Sequence, residues 1–168
     1  MVKLYVGIIG CGSISQQRHI PEYVENVDVE IVGYFDRNHE RALQMSKLYG
    51  GKTFDSVNDL LSDNTIDAVS VCVANAQHAS IAIHALESGK HVLCEKPMAI
   101  TMDECQAMVL AAKRNNKRLM IDQNQRLAPS HVKAKQLISE GLIGEVLSFK
   151  TTFGHGGPES WSVDGGPN

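Results

Sequence analysis

The feature that most constrains this chain is an apolar run that ends in two closely spaced glycines. The segment from Lys3 to Ser15 reads Lys-Leu-Tyr-Val-Gly-Ile-Ile-Gly-Cys-Gly-Ser-Ile-Ser. It predicts a buried strand, a tight turn and the start of a helix, because glycine has no Cβ and lets the backbone turn sharply. The turn has the form Gly-x-Gly-x-x-Ser, with Gly10, Gly12 and Ser15 at the three small positions. Serine is small enough for the close helix–strand packing that the third position requires.

This turn is a candidate phosphate site. Backbone N–H groups at the start of a helix point outward and carry the positive end of the helix dipole, so they attract anions. We expect Gly10, Gly12, Ser13 and Ile14 to contact the pyrophosphate of a dinucleotide. The alternative is that a strand ending in two glycines is simply a turn.

A second apolar strand supports the dinucleotide interpretation. Residues 29–36 read Val-Glu-Ile-Val-Gly-Tyr-Phe-Asp, and the acid stands at the distance from the glycines that the dinucleotide fingerprint expects. Asp36 would accept hydrogen bonds from the adenosine ribose, or it would only cap the next helix, a role that Asn38 can also fill. An acid here repels a 2′-phosphate and favours NAD over NADP, although Arg37 could stack on adenine or pair with such a phosphate.

The rest of the first 122 residues continues the alternation of strands and helices. Non-alternating apolar runs, as in 68–73, are typical of strands covered on both faces. Thr101 and Glu104 have the spacing of a capping box at a helix start. We therefore predict an α/β fold, a doubly wound parallel-sheet Rossmann domain over residues 1–122. Further strands are expected at 52–54, 68–73, 91–94 and 119–121, and helices at 39–49, 57–61, 76–88 and 101–115.

The pattern changes after Asp122. A helix is predicted from Pro129 to Gly141, and residues 145–153 alternate between apolar and polar side chains, as in a half-exposed strand. One such strand cannot bury its apolar face alone. We expect residues 123–168 to be the beginning of a second, truncated α+β domain.

Composition excludes several classes of protein. The net charge is −3, and the densest basic group, at 113–118, reads as a solvated helix end, so a nucleic-acid partner is not expected. The four cysteines lack the paired spacings of a metal site; Cys11, between the glycines, is expected to pack rather than to react. No signal peptide and no membrane span is apparent, so a cytoplasmic location is expected.

Polar residues collect where the predicted strands end. The carboxyl ends of parallel strands form one crevice, in which ligands bind. Lys96 is placed there to hydrogen-bond a substrate oxygen and stabilise its alkoxide character during loss of hydride. The alternative is a lysine in a turn that points into solvent. The residues expected at this crevice are Gly10 to Ser13, Asp36, Ala74, Asn75, Glu95, Lys96, Gln123 and Asn124.

The histidines give weaker signals. His78, at a helix start just past a strand, is expected either to line the cofactor or to cap that helix. His19 is expected to be a surface or packing residue, and His84 and His91 to be structural. His155, between glycines, is a weak candidate for substrate contact.

The chain resembles the Gfo/Idh/MocA oxidoreductases through residues 6–12, 35–38, 138–144 and, most specifically, 89–97, which read Gly-Lys-His-Val-Leu-Cys-Glu-Lys-Pro. The resemblance implies a Rossmann domain followed by a mostly antiparallel sheet that binds substrate and mediates homo-oligomerisation. It implies that Glu95 and Asn75 contact the nicotinamide half of the cofactor and that Lys96 faces substrate. It also implies hydride transfer between NAD and a sugar or polyol such as inositol.

The sequence departs from the family pattern at two places. Val73-Ala74-Asn75 stands where the family often has Thr-Pro-Asn, and the Asp and His that complete the family's catalytic site do not occur after a glycine cluster in this chain. The fragment is therefore expected to bind cofactor better than it catalyses. Two alternatives stay open: a non-catalytic NAD(P) sensor of the same family, and a methyltransferase, which would not explain Lys96 and Pro97.

Overall fold

A computed structural model describes residues 3–152 and residue 154 of the chain. Six strands and six α-helices alternate over most of this length. The strands are Leu4–Ile9 (β1), Val29–Phe35 (β2), Lys52–Thr53 (β3), Ala68–Val71 (β4), His91–Cys94 (β5) and Leu119–Ile121 (β6). The helices are Ile20–Glu25 (α1), His39–Tyr49 (α2), Val57–Ser62 (α3), His78–Glu87 (α4), Met102–Arg114 (α5) and Pro129–Ser139 (α6).

The six strands form one parallel sheet in the order β3-β2-β1-β4-β5-β6. The strand order reverses between β1 and β4, so the chain leaves these neighbouring strands towards opposite edges of the sheet. Such a reversal opens a crevice at the carboxyl ends of the two strands. The predicted doubly wound Rossmann fold is confirmed.

Strand β1 shows how the sheet separates two cores. Neighbouring residues of a strand point to opposite faces. Ile8 packs on one face with Ile20, Tyr34 and Met45, whereas Ile9 packs on the other in the cluster that contains the side chains of α4 and α5. Both isoleucines have no exposed surface. Burying such a side chain contributes about 1.5 to 3 kcal/mol, which explains why the strand sequence is apolar without alternation.

Two helices begin at polar side chains that cap them. The side chain of Asn38 accepts a hydrogen bond from the Glu40 N–H at the start of α2. Thr101 and Glu104 form the predicted capping box of α5. The first helix differs from a regular α-helix, because residues Ser15–His19 form a π-helical turn before α1, which has Pro21 near its start.

The region after β6 agrees only in part with the prediction. The helix starting at Pro129 is present as α6. The predicted strand over 145–153 is wrong for residues 145–152, which have no regular secondary structure. An isolated strand is not stable without a neighbour to pair with, and the six-stranded sheet ends at β6. Phe153 and His155 lie outside the described residues, and the domain boundary at residue 122 stays a prediction.

Along residues 3–152, no helix combines the length and the apolar character that crossing a bilayer requires.

We predict that Gly10→Ala destabilises the fold by roughly 2 to 4 kcal/mol, whereas Gly12→Ala has almost no effect. Gly10 has φ +95°, and a Cβ on it would lie 2.3 Å from the Cys72 carbonyl oxygen. A Cβ on Gly12 would meet nothing within 4 Å. Urea unfolding of both variants measures the difference, and equal free energies of unfolding would contradict the steric argument.

Candidate nucleotide-binding and active site

The carboxyl ends of the strands bring the predicted site segments side by side. The Cys72 N–H donates to the Ile9 carbonyl at 2.8 Å, and the Glu95 N–H donates to the Val71 carbonyl at 3.0 Å. The Asp122 N–H donates to the Cys94 carbonyl at 2.8 Å. These bonds link the end of β1 and the residues that follow β4, β5 and β6 into one row. The segments after four strands therefore share one edge, as the sequence predicted.

The glycine turn after β1 is tightly built. The Gly10 N–H donates to the Phe35 carbonyl at 2.8 Å, which ties the turn to β2. Ser15 has no exposed surface, and its hydroxyl donates to the Gly10 carbonyl. The small third position of the motif thus closes the helix onto the turn. Because its N–H is already used, Gly10 contributes close packing here rather than a hydrogen-bond donor.

Gly12 has a different environment from Gly10. The Gln16 N–H donates to the Gly12 carbonyl at 3.1 Å, so the helix begins directly after Gly12. The first N–H groups of a helix have no partner within it, which applies here to Ser13 and Ile14. The open space above Gly12 is not needed by the fold and would admit a phosphate group beside these N–H groups. The residues present therefore fit a pyrophosphate.

Asp36 lies against the glycine turn. Its Oδ2 accepts a hydrogen bond from the Cys11 N–H at 2.7 Å, and its Oδ1 accepts one from the Asn38 N–H at 2.8 Å. A carboxylate can accept about four hydrogen bonds, so two positions remain for ribose hydroxyls. Asn38 caps α2, so the simpler alternative of Asp36 as the helix cap is not needed. Arg37 is exposed next to it.

Cys11 packs as a hydrophobic residue. The side chain has no exposed surface. Burial, followed by the charge of Asp36, raises the pKa of the Cys11 thiol to about 12. The thiol is therefore protonated at neutral pH and is not a nucleophile. The packing role expected from the sequence is confirmed.

The other predicted contacts lie after β4, β5 and β6. Ala74 and Asn75 are exposed, and Asn75 begins the short 3-10 helix Asn75–Gln77. Asn124 is also exposed, in the 3-10 helix Asn124–Leu127. Lys96 is exposed, whereas its neighbour Glu95 is only 6% exposed.

His78 has a different role from either predicted one. It is 1% exposed, and its Nδ1 lies 2.6 Å from the Pro97 carbonyl oxygen. Its Nε2 lies 3.1 Å from the Val73 carbonyl oxygen. The ring therefore joins the segments after β4 and β5 from beneath the crevice. It presents almost no surface to a cofactor, and it makes no side-chain cap at the start of α4.

The residue that the sequence analysis missed is His19. It is 5% exposed, and its Nε2 lies 3.0 Å from Glu95 Oε1. Its Nδ1 lies 2.9 Å from the Ser70 hydroxyl. Asp122 is the third charged group here, with Oδ2 3.7 Å from His19 Nε2. The one available signal was its spacing of four residues from the buried Ser15, which places both side chains on the same face of the helix.

The three charged groups influence each other's protonation. Burial acts against a charged His19, but polar contacts with Cys72 and Glu95 outweigh it and hold the pKa of His19 well above 6.5. Burial raises the pKa of Glu95, yet the hydrogen bonds from His19 and the Lys96 N–H lower it overall. Burial and then the charge of Glu95 raise the pKa of Asp122. His19 and Glu95 therefore form a buried ion pair.

The same three side chains are also a possible metal-ligand set. One ligand atom from each lies within 4.8 Å of the others. A metal ion could bind His19 Nε2 only after displacing the proton that this nitrogen donates to Glu95. Both ring nitrogens of His19 are already in hydrogen-bond contact with the protein, Nε2 with Glu95 at 3.0 Å and Nδ1 with Ser70 at 2.9 Å. We therefore interpret the cluster as a hydrogen-bonded ion pair with a neighbouring acid.

The fold and this edge of the sheet define a dinucleotide-binding protein of the Rossmann class. Residues 4–123 match the family model described as "Oxidoreductase family, NAD-binding Rossmann fold", Gfo/Idh/MocA. The chain belongs to this family of NAD(P)-dependent oxidoreductases.

Named relatives act on sugars and polyols. Glucose-6-phosphate 3-dehydrogenase of Bacillus subtilis is 35% identical over 148 residues, which are 88% of this chain and 41% of that protein. Inositol 2-dehydrogenase of Salmonella typhimurium is 33% identical over 150 residues, covering 87% of this chain and 44% of that enzyme. The chain thus spans less than half the length of these relatives.

A solved structure with a similar fold was determined with a nicotinamide cofactor bound. The 3-ketoreductase KijD10 from Actinomadura kijaniata, in complex with NADP and TDP-benzene, has a TM-score of 0.79 and 29% identity to this chain. The match covers 85% of this chain and 44% of KijD10. The similarity supports a nicotinamide cofactor for the family fold.

We predict that the stability advantage of the wild type over His19→Gln is about 3 kcal/mol between pH 4.5 and 6.5. The pKa of His19 is higher in the folded than in the unfolded state, so its contribution to folding stability is complete below pH 6.5. This contribution is lost as the pH rises through the folded pKa. The lowered pKa of Glu95 means that its contribution is lost as pH falls below 4.5. Urea unfolding across pH measures the difference. A pH-independent difference, or an equal effect of His84→Ala on an exposed histidine, would contradict the ion pair.

Proposed function

We propose that this chain is the NAD-binding part of an oxidoreductase that transfers hydride between the cofactor and a sugar, a polyol or a related hydroxyl substrate. The observation that carries the proposal is the contact of Asp36 with the glycine turn, at 2.7 Å from the Cys11 N–H. It places an acid that can bind ribose directly beside a helix start that can bind phosphate. Family membership supports the same conclusion.

The two halves of the dinucleotide have separate candidate contacts. Gly12, Ser13 and Ile14 would face the pyrophosphate, and Asp36 the adenosine ribose, with Arg37 beside the adenine. Gly10 supports this site by its close packing rather than as a donor. The nicotinamide half would lie across β4 and β5, which follows from the position of the crevice. Its candidate contacts are Ala74, Asn75, Glu95 and Asn124, whereas His78 supports the floor from below.

The charge beside the ribose favours NAD over NADP. The Asp36 carboxylate would repel a 2′-phosphate at the position where it would accept the ribose hydroxyls of NAD. KijD10 was solved with NADP, so the fold by itself admits either cofactor. The preference therefore depends on Asp36, with the exposed Arg37 as the opposing charge.

Lys96 is the proposed catalytic residue of this part of the protein. The nicotinamide ring, when bound, supplies or accepts the hydride. Lys96 is exposed at the crevice, where its ammonium group would donate a hydrogen bond to the substrate oxygen and stabilise negative charge on it. The relatives named above are two dehydrogenases and a ketoreductase, which favours this role over that of a non-catalytic sensor.

We predict that the chain binds NADH, and that Gly12→Val abolishes binding while leaving the fold intact. The Cβ of a valine here would meet nothing within 4 Å, and its side chain would occupy the open space beside the helix start. Calorimetric titration measures the affinity for NADH, and a separate titration with S-adenosylmethionine tests the alternative ligand. Binding of S-adenosylmethionine in place of NADH would support a methyltransferase, and no binding of either would overturn the proposal.

We predict that Asp36→Ala weakens NADH binding by at least tenfold, which corresponds to about 1.4 kcal/mol, and NADPH binding by less. The alanine removes both the ribose acceptor and the repulsion of a 2′-phosphate. Fluorescence titration of both nucleotides gives the ratio. Equal losses for the two cofactors would count against the ribose role of Asp36.

A further inference from the structure

We propose that His19 is a positioning residue, which holds the Glu95–Lys96 turn in place through the side chain of Glu95. This inference rests on the proposed function, because it assigns a purpose to the geometry of the Lys96 turn. His19 is buried and does not reach the crevice itself.

Glu95 connects His19 to Lys96 by its two carboxylate oxygens. Oε1 accepts from His19 Nε2 at 3.0 Å, and Oε2 accepts from the Lys96 backbone N–H at 3.0 Å. A carboxylate held at one oxygen still rotates about its side-chain bonds, whereas one held at both oxygens does not. The backbone from which the Lys96 side chain begins is therefore fixed by a contact with the first helix.

His19 is itself held in one orientation. Its Nδ1 lies 2.9 Å from the hydroxyl of Ser70, a residue of β4 with no exposed surface. Tyr23 donates its hydroxyl to the same Ser70 oxygen at 3.3 Å, and its ring meets the His19 ring edge-on. With both nitrogens protonated, His19 donates to Ser70 and to Glu95 at once. Its ring can then neither flip nor tilt without losing a buried hydrogen bond.

The connection joins the two halves of the crevice. His19 is the last residue of the π-helical turn that begins at Ser15. The Ser15 hydroxyl donates a hydrogen bond to the carbonyl of Gly10 in the glycine turn. Glu95 stands at the end of β5, on the other side of the switch point. The distance between the phosphate-binding turn and the Lys96 turn is thus set by a chain of contacts rather than by the sheet alone.

The test compares NADH with ADP-ribose, which lacks the nicotinamide, in calorimetric titrations of this chain. His19→Ala should weaken NADH binding on the order of tenfold, the effect of one charge-assisted hydrogen bond, and ADP-ribose binding less than about twofold. His19→Gln, which keeps a donor near Glu95, should recover part of the loss. The exposed His84→Ala is the matched control and should change neither affinity.

Equal losses for NADH and ADP-ribose, or no loss for either, would overturn the positioning role. Circular dichroism and urea unfolding show whether each variant is folded; if His19→Ala is not, the same comparison is made with His19→Gln.

Amide hydrogen exchange separates this inference from the proposed function. In His19→Ala, the Lys96 amide should exchange faster because Glu95 is released, by about tenfold more than the amides of β1, whose exchange reports any loss of global stability. His19→Gln should show a smaller increase of the same kind. This readout does not need a nucleotide, so it decides the positioning role even if the wild type fails to bind NADH. Unchanged Lys96 exchange in a folded variant would overturn the inference.

Discussion

The close approach of β1 to β4 at Gly10 is the constraint on which the site depends. The backbone after β1 passes so near the Cys72 carbonyl oxygen that a Cβ on Gly10 would lie 2.3 Å from it. These two strands are neighbours, but the chain continues from them towards opposite edges of the sheet. The crevice therefore opens next to this close approach, with Asp36, after β2, on one side and Glu95, after β5, on the other. The candidate contacts on both sides are positioned relative to this close approach of β1 and β4.

The buried ion pair beneath the crevice is better explained by specificity than by stability. Removing two charges from water is costly, and the mutual attraction of a buried pair often does no more than offset that cost. The hydrogen bonds to Ser70 and to the Lys96 N–H satisfy the remaining polar atoms of His19 and Glu95. An apolar pair of the same size could fill the space, but it would not fix the Lys96 backbone. The polar pair thus determines one geometry for the turn.

Local sequence signals predicted most of the fold, and tertiary contacts explain what they missed. Uninterrupted apolar runs predicted the strands, and the spacing of Thr101 and Glu104 predicted the start of α5. The roles of His19 and His78 depend on partners 76 and 19 residues away, which no local pattern encodes. The wrong strand at 145–152 has the same origin. Its alternation was real, but the pairing that makes a strand depends on a neighbouring strand and not on the segment itself.

Glu95 and Lys96 are neighbours in the chain but differ in burial, with Glu95 buried and Lys96 exposed. A carboxylate beside the proposed catalytic lysine would compete with the substrate oxygen for its ammonium group if both side chains faced the crevice. Glu95 is instead directed beneath the edge of the sheet, where His19 and the Lys96 N–H occupy its oxygens. The negative charge still lies near the nicotinamide side of the crevice, and each carboxylate oxygen already accepts one hydrogen bond from the protein. The contacts beneath the crevice therefore fix where the Glu95 carboxylate lies relative to the Lys96 backbone.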